Sequence, residues 1–148
     1  MVEFAETDMA GIMHYSNFFR FMEIAEHAFY RSLGWSVHPH ESVRDVVWPR
    51  VNAQCDFKKP LYFEDTVEIH LMVQEKGERS IRYMFHLNKI TDNSRTNVAI
   101  GSQTIVCSRY DQETRSFKSA PIPERFNKNI EKAPDHLLQL YSKTQNLK

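Results

Sequence analysis

Ser16-Asn17-Phe18-Phe19-Arg20-Phe21-Met22-Glu23-Ile24-Ala25-Glu26-His27-Ala28-Phe29-Tyr30-Arg31-Ser32-Leu33-Gly34 is the stretch on which the fold turns. Phe18, Phe21, Met22, Ala25, Phe29 and Leu33 recur at spacings of three and four, while Arg20, Glu23, His27 and Arg31 lie off that stripe. One side of a helix is therefore apolar and the other is wet. Ser16 or Asn17 is placed to cap its start, and Gly34 supplies the left-handed residue that ends it. The expected helix has about 17 residues and is roughly 25 Å long, the longest in the chain.

Downstream of a loop around His38-Pro39-His40 the period drops to two. Val51, Ala53, Cys55 and Phe57 alternate with Asn52, Gln54, Asp56 and Lys58 until Lys59-Pro60 ends the run. Val67, Ile69, Leu71 and Val73 alternate in the same way. Lys76-Gly77-Glu78 then reverses the chain into Ile81, Tyr83, Phe85 and Leu87, which predicts a hairpin. Asp92-Asn93-Ser94 is a second turn, ahead of a long strand from Asn97 to Arg109 rich in β-branched residues. Upstream of the helix, Val2 and Phe4 around Glu3 predict a short opening strand. The fold class is α+β: an antiparallel sheet of about five strands, curved around one long helix that covers one of its faces. The body spans about residues 1–126. A short helix started by Pro123 and running to about Glu131, then a polar tail, complete the chain within 127–148.

At 148 residues the chain fits one domain. A composition of 41% hydrophobic and 26% charged residues with 4 Gly and 6 Pro is too apolar for disorder and too complex for a fibre. Lys plus Arg equals Asp plus Glu at 19 each, so no overall field draws the chain to nucleic acid or an anionic membrane, and an anionic ligand must be held by a local patch. The apolar runs are short, and Glu3 and Glu6 interrupt the first of them. No membrane span or signal peptide is expected, and the default location is the cytoplasm. Cys55 and Cys107 stand apart without a CxxC spacing and read as buried free thiols. His38 and His40 form an HxH without a third ligand, so no metal and no cofactor are expected.

The chemistry gathers between the opening residues and the helix, in Phe4-Ala5-Glu6-Thr7-Asp8-Met9-Ala10-Gly11-Ile12-Met13-His14-Tyr15-Ser16-Asn17-Phe18-Phe19. It joins a carboxylate, a small-residue turn and a helix N-terminus, whose free amides and dipole suit a carbonyl oxygen that becomes an oxyanion. Taken by spacing alone, Asp8 and Thr7 serve equally well as turn formers. A thioester matches so sparse a site, because a thiolate with a conjugate-acid pKa of about 8.5 leaves without a strong general acid.

The stretch resembles the signature of hotdog-fold acyl-CoA thioesterases of the 4-hydroxybenzoyl-CoA thioesterase type, including the YbgC-like branch. Phe4, Glu6, Thr7, Asp8, Gly11, Tyr15, Ser16, Asn17 and Phe18 meet its pattern, and Glu23, Pro49, Pro60 and Asp65 follow in order. The resemblance implies an acyl-CoA thioester hydrolase with Asp8 as catalytic carboxylate, either nucleophile or general base, and with the backbone amide of Tyr15 polarising the thioester carbonyl. It implies a homodimer or homotetramer, with the Trp48-Pro49-Arg50 strand of one chain facing the helix start of the other. Phe18, Trp48, Pro49 and the Gly11 loop would contact substrate, and Lys59, beside Lys58, and Arg79-Ser80 would hold the coenzyme. Members of the YbgC-like branch carry Tyr-His where this chain has His14-Tyr15, so His14 either shares in proton transfer or lines the acyl pocket. Glu23, off the apolar stripe, is assigned to an ion pair or hydrogen bond at a subunit contact. Two other readings stand beside the hydrolase: a hotdog protein that binds acyl-CoA without cleaving it, and a hotdog dehydratase or hydratase, whose His-Phe-Pro context is not seen in the sequence.

Overall fold

The computed structural model describes residues 1–35 and 46–143. His38 and His40 lie outside the described residues. Helix α1 spans Ser16–Ser32, and among the described residues six strands follow: β1 Arg50–Phe57, β2 Thr66–Lys76, β3 Ser80–Thr91, β4 Ser94–Val106, β5 Ser108–Asp111 and β6 Ser116–Ser119. Helices α2, Glu124–Asn127, and α3, Asp135–Lys143, complete the chain. β1 to β4 form one antiparallel sheet in the order β1-β4-β3-β2, and β5 pairs with β6 in a separate two-stranded ribbon.

The alternation read from sequence sets which face meets α1. Ile81, Tyr83, Phe85 and Leu87 of β3 are fully buried with Phe18, Phe21 and Met22 of the helix in one core. Gly101 of β4 lies opposite Phe85, where an added Cβ would collide with the Met22 sulfur. Gly101→Val is therefore expected to destabilise the protein by about 1–3 kcal/mol through overpacking, read as a lower midpoint in urea. α1 ends in a Schellman arrangement: Gly34 is left-handed at φ 77°, its N–H bonds Arg31 O at 3.0 Å, and the Trp35 N–H bonds Tyr30 O at 2.9 Å.

Five expectations change. Residues 4–6 form a 3₁₀ turn rather than an opening strand, because Glu3 and Glu6 make a reciprocal capping box that curls the backbone. Only Val2 keeps extended pairing, with Asp65 O and the Glu64 N–H. Neither Ser16 nor Asn17 caps α1: Tyr15 occupies the cap position in helical geometry, while Asn17 is buried and its Nδ2 bonds Glu6 O at 2.8 Å. The long final strand breaks at Cys107, so that β5 and β6 leave the main sheet and four strands remain in it. The tail is not simply polar, since α2 is a single turn behind Pro123 and α3 packs Leu138 against Met72, Met84 and Ile100 on the sheet face away from α1. Cys107 is buried as expected, but Cys55 on the outermost strand is only partly so, and burial with Asp56 nearby still pushes its thiol up to about 12.

Candidate active site

The loop before α1 is fixed almost entirely by its own backbone. Asp8 and Ile12 close a tight reversal, with the Asp8 N–H donating to Ile12 O and the Gly11 N–H donating to Asp8 O, both at 2.9 Å. Gly11 sits at φ 75°, a left-handed conformation that explains a glycine there. The Ala10 N–H donates to Asp8 Oδ1 at 2.8 Å, an Asx turn that fixes the carboxylate's direction. Among the described residues nothing donates to Oδ2. The next segment is stitched on both sides, with the Met13 N–H on Leu61 O at 2.7 Å and the His14 N–H on Glu6 O at 2.8 Å. It delivers Tyr15 to the start of α1 with an amide that makes no hydrogen bond to a described residue.

These groups meet on one cavity of about 580 Å³, lined by Asp8, Ile12, Met13, Tyr15, Phe18 and, from the far end of β1, Phe57 to Pro60. Phe18 and Phe57 stand edge to face with centroids 4.9 Å apart. The cavity thus has an apolar wall, one carboxylate, a helix N-terminus and two lysines at its edge. That combination can hold an acyl group, polarise its carbonyl and attract a phosphate-bearing ester.

The other expected site residues fall in two groups. Asp8, Tyr15, Phe18 and Lys59 line the cavity, and Gly11 shapes the loop beside it. His14 is held back, its Nδ1 2.8 Å from Ser16 Oγ and its ring 4.4 Å from that of Tyr15. Trp48, Pro49, Arg79 and Ser80 are not brought to this cavity within one chain. Trp48 packs on Phe126 at 5.6 Å, Pro49 O accepts the Val106 N–H, and Ser80 pairs with Val106 at the opposite end of the sheet. Arg79 is an exposed neighbour of Ser119. Phe57, absent from the expected site, was legible from its alternation with Cys55, which turns it toward Phe18. Glu26 was not singled out either, yet it is the buried carboxylate of α1, 2% exposed, and is ion-paired to Arg50, which also lies 3.5 Å from Glu23. Burial raises the Glu26 carboxyl above its ordinary range, and Arg50 works against that rise. Among the described residues no three metal-ligating side chains converge, and no helix is long and apolar enough to cross a membrane.

A sheet curved around one helix, with a carboxylate loop at that helix's start, defines the hotdog thioesterase class. The profile of the Thioesterase-like superfamily matches residues 2–130, and the chain belongs to that family. A protein of Aquifex aeolicus is 45% identical over 86 residues, covering 57% of this chain and 65% of that one. The chain thus spans just under two thirds of the length of the first relatives it matches. The 1,4-dihydroxy-2-naphthoyl-CoA hydrolase of Synechococcus elongatus is 26% identical over 126 residues, 84% of this chain and 87% of its own. Among solved structures, a gentisyl-coenzyme A thioesterase superposes with TM-score 0.70 at 29% identity, over 88% of this chain and 95% of that one. A 1,4-dihydroxy-2-naphthoyl-CoA thioesterase from Synechocystis superposes with TM-score 0.78 at 24% identity, over 88% and 90% of the two chains, and shares the fold.

Proposed function

We propose that this protein hydrolyses an aromatic acyl-CoA thioester to the free acid and coenzyme A. The observation that carries the reading is the pairing, on one apolar cavity, of a carboxylate fixed by its own turn with an unengaged amide at a helix start. The aromatic acyl group is supported by the edge-to-face Phe18–Phe57 wall and by the aromatic acyl groups in the relatives' names. The Tyr15 amide receives the carbonyl oxygen as it gains charge, with the α1 dipole behind it. Asp8 Oδ2 then either attacks the carbonyl carbon, giving a mixed anhydride that water opens, or removes a proton from the attacking water. In both routes the C–S bond breaks and the thiolate leaves. Lys58 and Lys59 at the rim meet the coenzyme phosphates.

The second half of the site comes from another copy of the chain. Among the described residues β1 bonds only β4, and none of them pairs with its other edge, where Val51 is 61% and Phe57 50% exposed. A second β1 laid antiparallel along that edge about a twofold axis near Ala53–Gln54 puts Arg50 of one chain beside Phe57 of the other. Trp48 and Pro49 of the second chain then stand at the cavity of the first, in accord with their remoteness from it within one chain.

Thiol release from a panel of aromatic and straight-chain acyl-CoAs tests the reading. Turnover on aromatic esters is expected; tight binding of acyl-CoA without cleavage above background would leave the non-catalytic reading standing instead. Tyr15→Ala keeps the backbone amide and should lower kcat by about tenfold or less, well short of what loss of an oxyanion donor costs. Val51→Asp places a charge on the open edge at a position already exposed. It should convert a particle of at least two chains in sedimentation velocity into 17.5 kDa monomers with little activity. A fully active wild-type monomer would overturn the shared site.

A further inference from the structure

A second cavity, of about 410 Å³, lies on the opposite face of the sheet from α1, and none of the residues lining it belongs to the cavity at Asp8. Its floor is built from the outward-pointing residues of β1, β3 and β4, and its roof is α3, with Leu138 closing over Met84 and Ile100. The volume falls within the range of small-molecule sites, about 300–1,000 Å³. Arg82 projects from β3 into this wall. Its Nε is cut off from solvent and finds no hydrogen-bond partner, and no ion pair joins it to any described residue. A desolvated Nε–H in that condition is costly, because water's hydrogen bond has been removed and nothing among the described residues replaces it, while the rest of the half-buried side chain faces the cavity. The missing partner is an anion, and a planar carboxylate matches the fork of donors. Beside it Met84, Ile100 and Leu138 offer an apolar bed. Asp56, also on the wall, makes no hydrogen bond or ion pair with a described residue, whereas Asp135 is engaged by Lys132 at 2.7 Å.

We infer that this cavity is a binding site, separate from the thioester site, for a small organic carboxylate with an apolar body: the carboxylate on Arg82, the body between Met84, Ile100 and Leu138. Asp56 sets whether the ligand also carries an ammonium group. The inference does not depend on the activity proposed above, since the two cavities share neither residues nor sheet face.

Isothermal titration of the full-length protein with 3-phenylpropionate and with L-phenylalanine, which differ only in the α-amino group, tests it. The expected result is saturable binding of at least one of them, one per chain, that excess coenzyme A does not displace. Arg82→Gln should weaken that binding by about tenfold or more while thioester turnover and the melting temperature stay at wild-type values. Asp56→Asn, an exposed change that leaves folding alone, should weaken L-phenylalanine and strengthen 3-phenylpropionate, and it carries the test if Arg82→Gln fails to fold. Absence of binding by both ligands, binding indifferent to both substitutions, or displacement by coenzyme A would each overturn the site.

Discussion

Asp8→Asn is expected to lower kcat on an aromatic acyl-CoA by about 10³-fold while leaving the affinity for the ester within about threefold, because only the chemical step uses the carboxylate's charge. The substitution is well suited to isolate that step. Asn retains a side-chain oxygen that can accept the Ala10 N–H, so the Asx turn, the left-handed Gly11 and the Tyr15 amide stay where they are. What disappears is the second carboxylate oxygen, Oδ2, and among the described residues Asp8 is the one carboxylate that lines the cavity. Both readings of Asp8 predict the collapse. They separate in a single turnover run in ¹⁸O water, where label appearing in the Asp8 carboxylate reports a nucleophile whose anhydride water opened at the Asp8 carbon, and in rapid-quench trapping, where an acylated Asp8 is found for a nucleophile and not for a general base. A variant that kept more than a tenth of wild-type turnover would move the catalytic carboxylate elsewhere, and neither Glu23 nor Glu26 lines this cavity. Thiol release measured with equilibrium binding on the same preparation decides the matter.

Much of this arrangement was visible in the residues, and the parts that were not share a cause. Periodicity reports which side of an element is buried, so the stripe from Phe18 to Leu33, the hairpin at Gly77 and the inward row Ile81 to Leu87 were legible directly. Glycine at position 34 announced its cap because only backbone geometry was involved. Side chains that bond to distant backbone escape such rules. Asn17 resembled a cap residue and is instead held by Glu6 O eleven residues away, and Glu3–Glu6 curled a stretch whose apolar alternation suggested a strand. Glu26 was missed for a related reason: a charge at a stripe position is ordinarily solvated, and its partner, Arg50, is 24 residues away in sequence. α3 was hidden by its polar composition, since it needs only a narrow apolar contact, with Leu138, to seat on Met72, Met84 and Ile100. At the loop before α1 the letters Asp8 and Gly11 were enough to locate the turn, because loop geometry there is set by backbone bonds and one left-handed residue. The cavity beside that loop was only half legible, for Phe57 reaches it from a strand whose placement depends on the whole sheet.

The Arg50 link gives the second large effect. Arg50→Met should destabilise the protein by about 2–3 kcal/mol near neutral pH, below the range for a fully buried pair because a third of the Arg50 side chain meets solvent. The loss arises less from the missing attraction than from what is left behind: Glu26, 2% exposed, would hold a charge in the core with no cation beside it. That makes the penalty depend on pH in a definite direction. Burial already raises the folded-state carboxyl of Glu26 above its value of 4.5 in an unfolded chain, and the charge and hydrogen bond of Arg50 oppose the rise. Removing the arginine raises it further. A carboxyl with a raised folded-state value favours the fold below its unfolded value, and that advantage is lost as pH climbs through the folded one. Urea unfolding of Arg50→Met should therefore show a small deficit against wild type near pH 5 and a larger one near pH 8. Glu26→Gln added to Arg50→Met should flatten the difference, since no charge remains to bury. The same pair joins the middle of α1 to the first residue of β1, the strand whose far end carries Phe57 to the cavity at Asp8, so thioester turnover should fall together with stability and recover in part in the double variant. A deficit in Arg50→Met equal at both pH values would show that Glu26 bears no charge in the core, and the ion pair could not then be what positions β1 against the helix.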